Sequence, residues 1–302
     1  MIDHGHPSNL KARDIMQVGV KTIGRSASIY EAVRILVERN ITGLPVVNRT
    51  NLAGIITEKD ILNVVFRNES QPGPVEDYMT TPVTSFQEID SLTEVSICLT
   101  RNAFRRAPVL RDGQLVGLIS RADLIRTYMT TLHPSSSSPN RSVVSTSPTA
   151  RTVMTSGLLT TQPQASIAEA MGILVAHGIT GLPVVDDSMN LLGIISEKDL
   201  LVLLHDPYSH SCRVGDVMSR DLTTFGPDAD LLEVCECLAH SNFRRVPVIE
   251  RRKLVGIISR SDMLLFILKH PSTIGLPGRA GVEDPEWAAH SVATPSCTHK
   301  EF

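Results

Sequence analysis

The sequence predicts a mixed α/β (α+β) chain built from four small β-α-β-β-α units that pair into two modules. Three observations predict it. Two motif sets recur along the chain: NITGLPVV at 40–47 returns as GITGLPVV at 178–185, and FRRAPV at 104–109 returns as FRRVPV at 243–248. The offsets are fixed, 63 residues from Met16 to Met79, Pro45 to Pro108 and Asp60 to Asp123, then 139 residues from Met79 to Met218, Pro108 to Pro247 and Asp123 to Asp262. Within each repeat, helical spacing alternates with short apolar runs bounded by polar turns, the pattern of a mixed unit. The units span 11–66, 75–129, 150–205 and 213–268, with units one and three alike and units two and four alike.

In unit one, residues 20–23 read as a short strand. Residues 28–39 then carry Ile29, Val33, Ile35, Leu36 and Val37 on one helical face. Ser28 and Glu31 form an S-x-x-E capping box at the start of that helix, repeated as Ser91/Glu94, Ser166/Glu169 and Asp230/Glu233. Residues 44–47 and 52–56 read as a hairpin around the polar turn 48–51, and Thr57 opens a second helix over 58–66. One such unit buries little surface by itself. Pairing unit one with two, and three with four, is expected to complete two cores in modules of about 120 residues each. Residues 130–149 read as a Ser/Pro-rich linker and 271–302, which hold Trp287, as a loose tail.

Composition narrows the function classes. The 302 residues are 42% hydrophobic and 20% charged, a globular balance for which about 150 residues per domain gives two domains. Lys+Arg 29 against Asp+Glu 32 leaves a net charge of −3, which excludes a strongly basic nucleic-acid binder but not a local basic patch. No apolar run approaches the roughly 20 residues that span a bilayer, so no membrane insertion is expected. The polar start carries no signal core, and a cytoplasmic location is expected. The five cysteines, Cys98, Cys212, Cys235, Cys237 and Cys297, lack metal-ligand spacing and read as buried free thiols. No nucleophile elbow, P-loop, zinc-protease or kinase motif occurs, His4 and His6 sit in a terminal segment, and the chain is expected not to be an enzyme.

Each second helix starts with a hydroxyl residue and, three later, an aspartate: Thr57/Asp60, Ser120/Asp123, Ser196/Asp199 and Ser259/Asp262. That pattern is itself a capping box. Yet the first helices place Glu at the fourth position and the second helices Asp, four times in four, a split that capping alone does not require. Lys59, Arg121, Lys198 and Arg260 fall in the first turns of the second helices. Cations are unfavourable there unless an anion binds nearby, or unless the long side chains bend away.

The β-α-β-β-α unit, with h-x-G-h-h-[ST]-x-x-D at its end and a [GR]-x-P-V strand in its middle, resembles the cystathionine-β-synthase (CBS) domain. Tandem copies resemble a Bateman module. Four copies in one chain resemble the plan of the gamma subunit of AMP-activated protein kinase. The resemblance implies a disc-like arrangement within one chain or across a homodimer. It also implies an adenosine-containing ligand, with AMP, ADP or ATP as regulatory ligand, no required cofactor, and an unidentified protein partner. S-adenosylmethionine, a ligand-free scaffold and a nucleotide-hydrolysing enzyme are the alternatives.

The same resemblance implies that ribose meets the aspartate and hydroxyl of one repeat while adenine meets the middle segment of its partner. That pairs Ile41, Thr42 and Gly43 with Ser120 and Asp123, and Phe104, Arg105 and Arg106 with Thr57 and Asp60. The second half pairs Ile179, Thr180 and Gly181 with Ser259 and Asp262, and Phe243, Arg244 and Arg245 with Ser196 and Asp199. Arg106 and Arg245 are the phosphate ligands it implies most strongly; solvated or acid-paired arginines are the alternative. Thr22, Ser85, Thr160 and Thr224 share one register on the first strand, as base or sugar contacts or as ordinary strand residues.

Overall fold

A computed structural model describes residues 9–66, 72–102, 104–132, 148–203 and 212–270. Most of the linker and the whole tail with Trp287, together with Cys297, His4 and His6, lie outside the described residues. Unit one runs α1 (Ala12–Ile15), β1 (Ile23–Gly24), α2 (Ile29–Glu38), β2 (Gly43–Asn48), β3 (Asn51–Thr57) and α3 (Glu58–Phe66). Unit two opens with a 3-10 turn, Val75–Asp77, followed by β4 (Phe86–Gln87), α4 (Leu92–Arg101), β5 (Arg106–Arg111), β6 (Gln114–Ser120) and α5 (Arg121–Leu132). Unit three has α6 (Ala150–Val153), α7 (Ile167–His177), β7 (Gly181–Val185), β8 (Leu191–Ser196) and α8 (Glu197–Leu203). Unit four has α9 (Val214–Val217), α10 (Leu231–His240), β9 (Arg245–Glu250), β10 (Lys253–Ser259) and α11 (Arg260–Lys269).

The first strand is shorter than the alternation at 20–23 predicts. Gly19 sits at φ +67°, so the chain turns there and only Ile23 and Gly24 pair with Val46 and Val47. In units three and four the same strand is reduced to single parallel bridges, Thr161 to Val184 and Phe225 to Val248. The reciprocal capping box on the first helices is complete at Ser166 and Glu169; Ser28 caps through Glu31 N–H, while Ser91 and Asp230 accept from the residue two positions on.

Hairpin tips join the units of a module. Asn51 pairs with Gln114, which extends one sheet through β1-β2-β3-β6-β5-β4, and Asn190 bridges Lys253 in the second module. The short opening turn of each unit docks on its partner. Met16 lies on Gly117, Met79 on Gly54, Met154 on Gly256 and Met218 on Gly193. A Cβ at Gly117, Gly193 or Gly256 would lie 2.5–2.6 Å from the methionine sulfur, which is why the h-x-G-h-h strand carries glycine in every repeat. Gly117→Ala is therefore expected to cost about 1–3 kcal/mol by overpacking. Adding Met16→Ala is expected to return part of that loss in urea unfolding. A single variant as stable as wild type would show that the contact carries no such constraint.

The cores differ from the sequence expectation. They join unit one to three and unit two to four, across the modules. One buried cluster holds Leu36, Leu44, Ile56 and Leu62 of unit one with Leu174, Leu182, Ile195 and Leu201 of unit three. The other holds Leu99, Ile119 and Ile125 of unit two with Leu238, Ile258 and Ile267 of unit four. The reason is geometric: the hairpins of a module meet only at their tips, and the helical faces close on the other module. Accordingly α3 packs on α7 and α8, and α5 on α10 and α11. The two modules thus meet within one chain. Cys98 and Cys235 are buried, while Cys212 and Cys237 are only half-buried. Burial pushes the Cys235 thiol up to about 12, so it is inert at neutral pH.

Candidate functional site

All four aspartates cap their helices. Asp60, Asp123 and Asp199 each accept from the backbone N–H (2.8 Å) and hydroxyl (2.6 Å) of the residue three before, and Asp262 does so at 2.7 Å for both. These bonds fall on one carboxylate oxygen, Oδ2, in every repeat. Capping therefore holds throughout, and it occupies Oδ2 while leaving Oδ1 outside the cap. Desolvation holds the Asp60 carboxyl above its usual range, opposed by the Thr57 hydrogen bonds.

The cations of the second helices are placed by protein groups. Arg121 donates to Leu99 O (2.9 Å) at the end of α4 and to the Ser261 hydroxyl of unit four. Arg260 donates to Leu238 O (2.8 Å) and Ser241 O (2.7 Å) at the end of α10. Each long side chain bends back to the negative end of a neighbouring helix, which resolves its conflict with the helix N-terminus without a bound anion. Lys198 donates to Asn40 Oδ1 at 2.6 Å, and Lys59 Nζ stands 3.7 Å from where a Cβ would sit at Gly178.

The two arginines of each FRR segment have different jobs. The second of each pair reaches the middle segment of its partner repeat. Arg106 donates to the Thr42 hydroxyl at 2.7 Å, and Arg245 donates to Gly181 O at 2.8 Å and to the Thr180 hydroxyl. A Cβ at Gly181 would meet the Arg245 guanidinium at 2.6 Å, which explains glycine in the x-T-G segment. Burial, and then the neighbouring guanidinium charge, pushes Arg106 and Arg245 down to about 10, still protonated at neutral pH.

The first of each pair is ion-paired at the centre, where one charged residue arrives from every unit. Arg105 lies 3.1 Å from Glu197 and 3.8 Å from Glu58, and Arg244 lies 3.2 Å from Glu58. Glu58 is 1% exposed and Glu197 2%. The glutamates lead α3 and α8 at the position that Arg121 and Arg260 hold in the other two units. The centre is therefore charge-balanced, and Arg105 is an acid-paired arginine.

Two clefts open as cavities. One, of about 680 Å³, joins Ile41 and Gly43 of unit one to Ser120 and Asp123 of unit two, with Gln17, Lys21, Arg106 and Arg126 on its walls. The other, of about 530 Å³, joins Phe243, Arg244 and Arg245 to Ser196 and Asp199. It also receives Asn40, Thr42, Arg106 and Arg126 from the first module, so all four units line it. Each cavity unites a predicted middle segment with its predicted aspartate. Ile179 and Gly181 with Ser259 and Asp262, and Phe104 with Thr57 and Asp60, occupy the equivalent places in their own units by repeat register.

Thr22, Ser85, Thr160 and Thr224 are all half-buried, each one residue before the first-strand pairing position. The residues that line the cavities come earlier in that loop, Gln17 to Lys21 in unit one and Ser219 to Thr223 in unit four. The four-unit alignment carried this signal in the loop after each docking methionine. Arg126 was also missed, although it breaks the repeat pattern: Asn63, Val202 and Leu265 stand at its place. Among the described residues no group of His, Cys, Asp and Glu could hold a metal ion, and no helix is long and apolar enough to cross a membrane.

Four capped, mutually docked repeats with cationic clefts between them define a tandem-repeat α/β architecture. The CBS domain family model matches at 12–67, 75–130, 150–206 and 214–269, and the chain belongs to the CBS-domain family, as two Bateman modules. It is 30% identical over 194 residues to MJ1225 of Methanocaldococcus jannaschii, covering 64% of this chain and 69% of that protein. The crystal structure of MJ1225, described as a candidate archaeal homologue of the AMP-activated kinase gamma subunit, superposes with TM-score 0.75 at 22% identity, over 85% of this chain and all of the other. That likeness speaks to the fold. CBSX2 of Arabidopsis thaliana, solved in complex with AMP, is 31% identical over 41% of this chain and 98% of its own, with TM-score 0.38. The CBS pair of MJ0100, solved with methylthioadenosine and S-adenosylmethionine, is 27% identical over 40% of this chain and 96% of its own, with TM-score 0.37.

Proposed function

We propose that this chain is a non-catalytic, cytoplasmic sensor of adenine nucleotides that passes its ligand state to a protein partner or a second copy. The observation that carries this reading is the cavity lined by all four units. Its walls bring Arg106, Arg126, Lys198, Arg244, Arg245 and Arg260 together with only two carboxylates, Asp199 and Asp221. Arg260 serves the end of α10 and Arg244 pairs with Glu58, but Arg106, Arg245 and Lys198 meet no carboxylate among the described residues. A ribose acceptor, an exposed aromatic and a cluster of cations suit a phosphorylated adenosine. Phe243 is 38% exposed at the cavity wall, where a base ring can cover it.

Because residues of both modules line the cavity, a ligand there biases their relative position by as much as its affinity differs between the two arrangements. AMP, ADP and ATP are the ligands we propose first, with S-adenosylmethionine as the uncapped-charge alternative. A thermal-shift series with the four compounds tests this. A ligand at 100 times its Kd is expected to add about 2.7 kcal/mol to stability. No shift at millimolar concentration with any of them would sink the proposal.

Asp199→Ala is expected to weaken binding at this cavity by about 10–100-fold through loss of a charge-assisted acceptor. Unchanged affinity would leave the aspartate as a cap alone. A second reading, a ligand-independent scaffold, is favoured by the internal bonds of Arg106 to Thr42 and of Arg245 to Gly181 and Thr180. Mass spectrometry of small molecules released from the purified, denatured chain separates the two.

A further inference from the structure

The four aspartates are not equivalent. At Asp60, Asp199 and Asp262 the hydrogen bonds found among the described residues fall on the capping oxygen. At Asp123 the second oxygen is also engaged: Oδ1 accepts from Gln17 Nε2 at 3.2 Å and from Arg126 Nη2. A carboxylate has about four lone-pair positions. Those of Asp123 are filled by the Ser120 N–H, the Ser120 hydroxyl, Gln17 and Arg126, so a ribose diol can enter only by displacing a donor. Of these donors the arginine is the movable one. Its side chain is 41% exposed, and its other terminal nitrogen makes a 3.3 Å bond to Ala239 O of unit four.

Arg126 also lines both cavities. In the four-unit cavity it stands among five other cations, and its charge helps to lower the Arg260 pKa, after burial as the main cause. That crowding is relieved when an anion enters. The repeats offer no counterpart, because Asn63, Val202 and Leu265 occupy the place three residues past the other aspartates.

We infer that Arg126 decides which of the two cavities takes a phosphorylated nucleoside: it closes the unit-one cleft by filling Asp123, and it turns to phosphate in the four-unit cavity, which opens that cleft. The inference rests on the adenosine-ligand reading above and adds an order of filling to it. An anionic nucleotide enters the four-unit cavity first. Its phosphates draw Arg126 off Asp123, and the unit-one cleft then binds ribose. Linkage makes the coupling reciprocal: occupancy of the unit-one cleft frees Arg126 and tightens nucleotide binding in the other cavity.

Isothermal titration of the full chain with adenosine and with ATP tests this. Adenosine carries no phosphate to recruit the arginine, so in wild type the unit-one cleft resists it. Arg126→Gln is expected to tighten adenosine binding by about tenfold, within the usual range of coupling between sites. Adding Asp123→Asn is expected to abolish that gain, which assigns it to this cleft. The same Arg126→Gln change is expected to weaken ATP severalfold, a loss that persists with Asp123→Asn. Arg126→Ala serves as a second variant, with unfolding midpoints measured for each. Adenosine and ATP affinities that stay within twofold of wild type, or that both fall alike, would overturn the inference and leave the sensor reading standing. A wild-type chain that binds neither compound would overturn both.

Discussion

Arg244→Ala is expected to destabilise the chain by about 3–5 kcal/mol at pH 8, the range for stripping one partner from a buried ion pair, and the loss is expected to shrink as the pH falls toward 5. Glu58 is 1% exposed, and its carboxylate lies 3.2 Å from Arg244 Nη1 and 3.8 Å from Arg105 Nη1. Burial raises the Glu58 pKa above its ordinary 4.5; Arg244 is the strongest opposing influence, Glu197 adds to the rise, and Arg105 opposes it. A carboxyl whose folded pKa is raised contributes stability that is fully present below the unfolded value. That stability is lost as the pH rises through the folded value, and the level is flat beyond it. Without Arg244 the folded value moves further up, so the penalty accumulates over a wider span of pH. Wild type and variant therefore converge in acid and diverge in base. Urea unfolding of both proteins at pH 5 and pH 8 measures the difference. Glu58→Gln in the Arg244→Ala background is expected to recover much of the loss at pH 8, because a neutral amide needs no countercharge. An equal loss at both pH values, with no recovery by Gln, would mean that Arg244 acts through packing rather than charge.

The sequence exposed this centre only in part. Register alignment places Glu58 and Glu197 where units two and four carry Arg121 and Arg260, which is legible, but which charges meet depends on how the modules face each other. Local signals did well because they are set within a few residues. The hairpin around Asn48 and Asn51 and the hydroxyl–aspartate caps follow from periodicity and short-range bonding. The cleft pairing came from the family resemblance, and two cavities place Gly43 beside Asp123 and Arg245 beside Asp199. Two things were not legible. The docking methionines revealed themselves only once Met16 and Gly117 were seen to touch, since the sequence records both residues but not their 101-residue separation closing. The sequence shows that a single small unit leaves apolar faces in need of a neighbour, but not which neighbour covers them. Yet an antiparallel hairpin joined at its tip leaves the helices on one side, and only a second module can cover them.

Leu62→Ala and Leu174→Ala are each expected to cost about 2–5 kcal/mol, and to do so for the whole chain at once. Leu62 is 1% exposed on α3 and Leu174 2% on α7, in different modules but in one buried cluster. If each module held its own core, Leu62→Ala would lower one half of the unfolding signal and leave the second module's transition in place. With cores shared across modules, neither half keeps a closed apolar face once the other opens, and the expected result is a single transition displaced as a unit. The hydrogen-bonded tips do not rescue the halves, because the contact of β3 with β6 is a single pair, Asn51 with Gln114. Circular dichroism followed by pulse proteolysis across a urea series distinguishes the cases, since proteolysis reports which half opens. A biphasic curve in which Leu62→Ala moves only the first module would return the cores to their own modules. The same sharing gives the clefts their leverage. On the proposed reading, a ligand that shifts unit three against unit four strains the packing of α7 and α8 on α3.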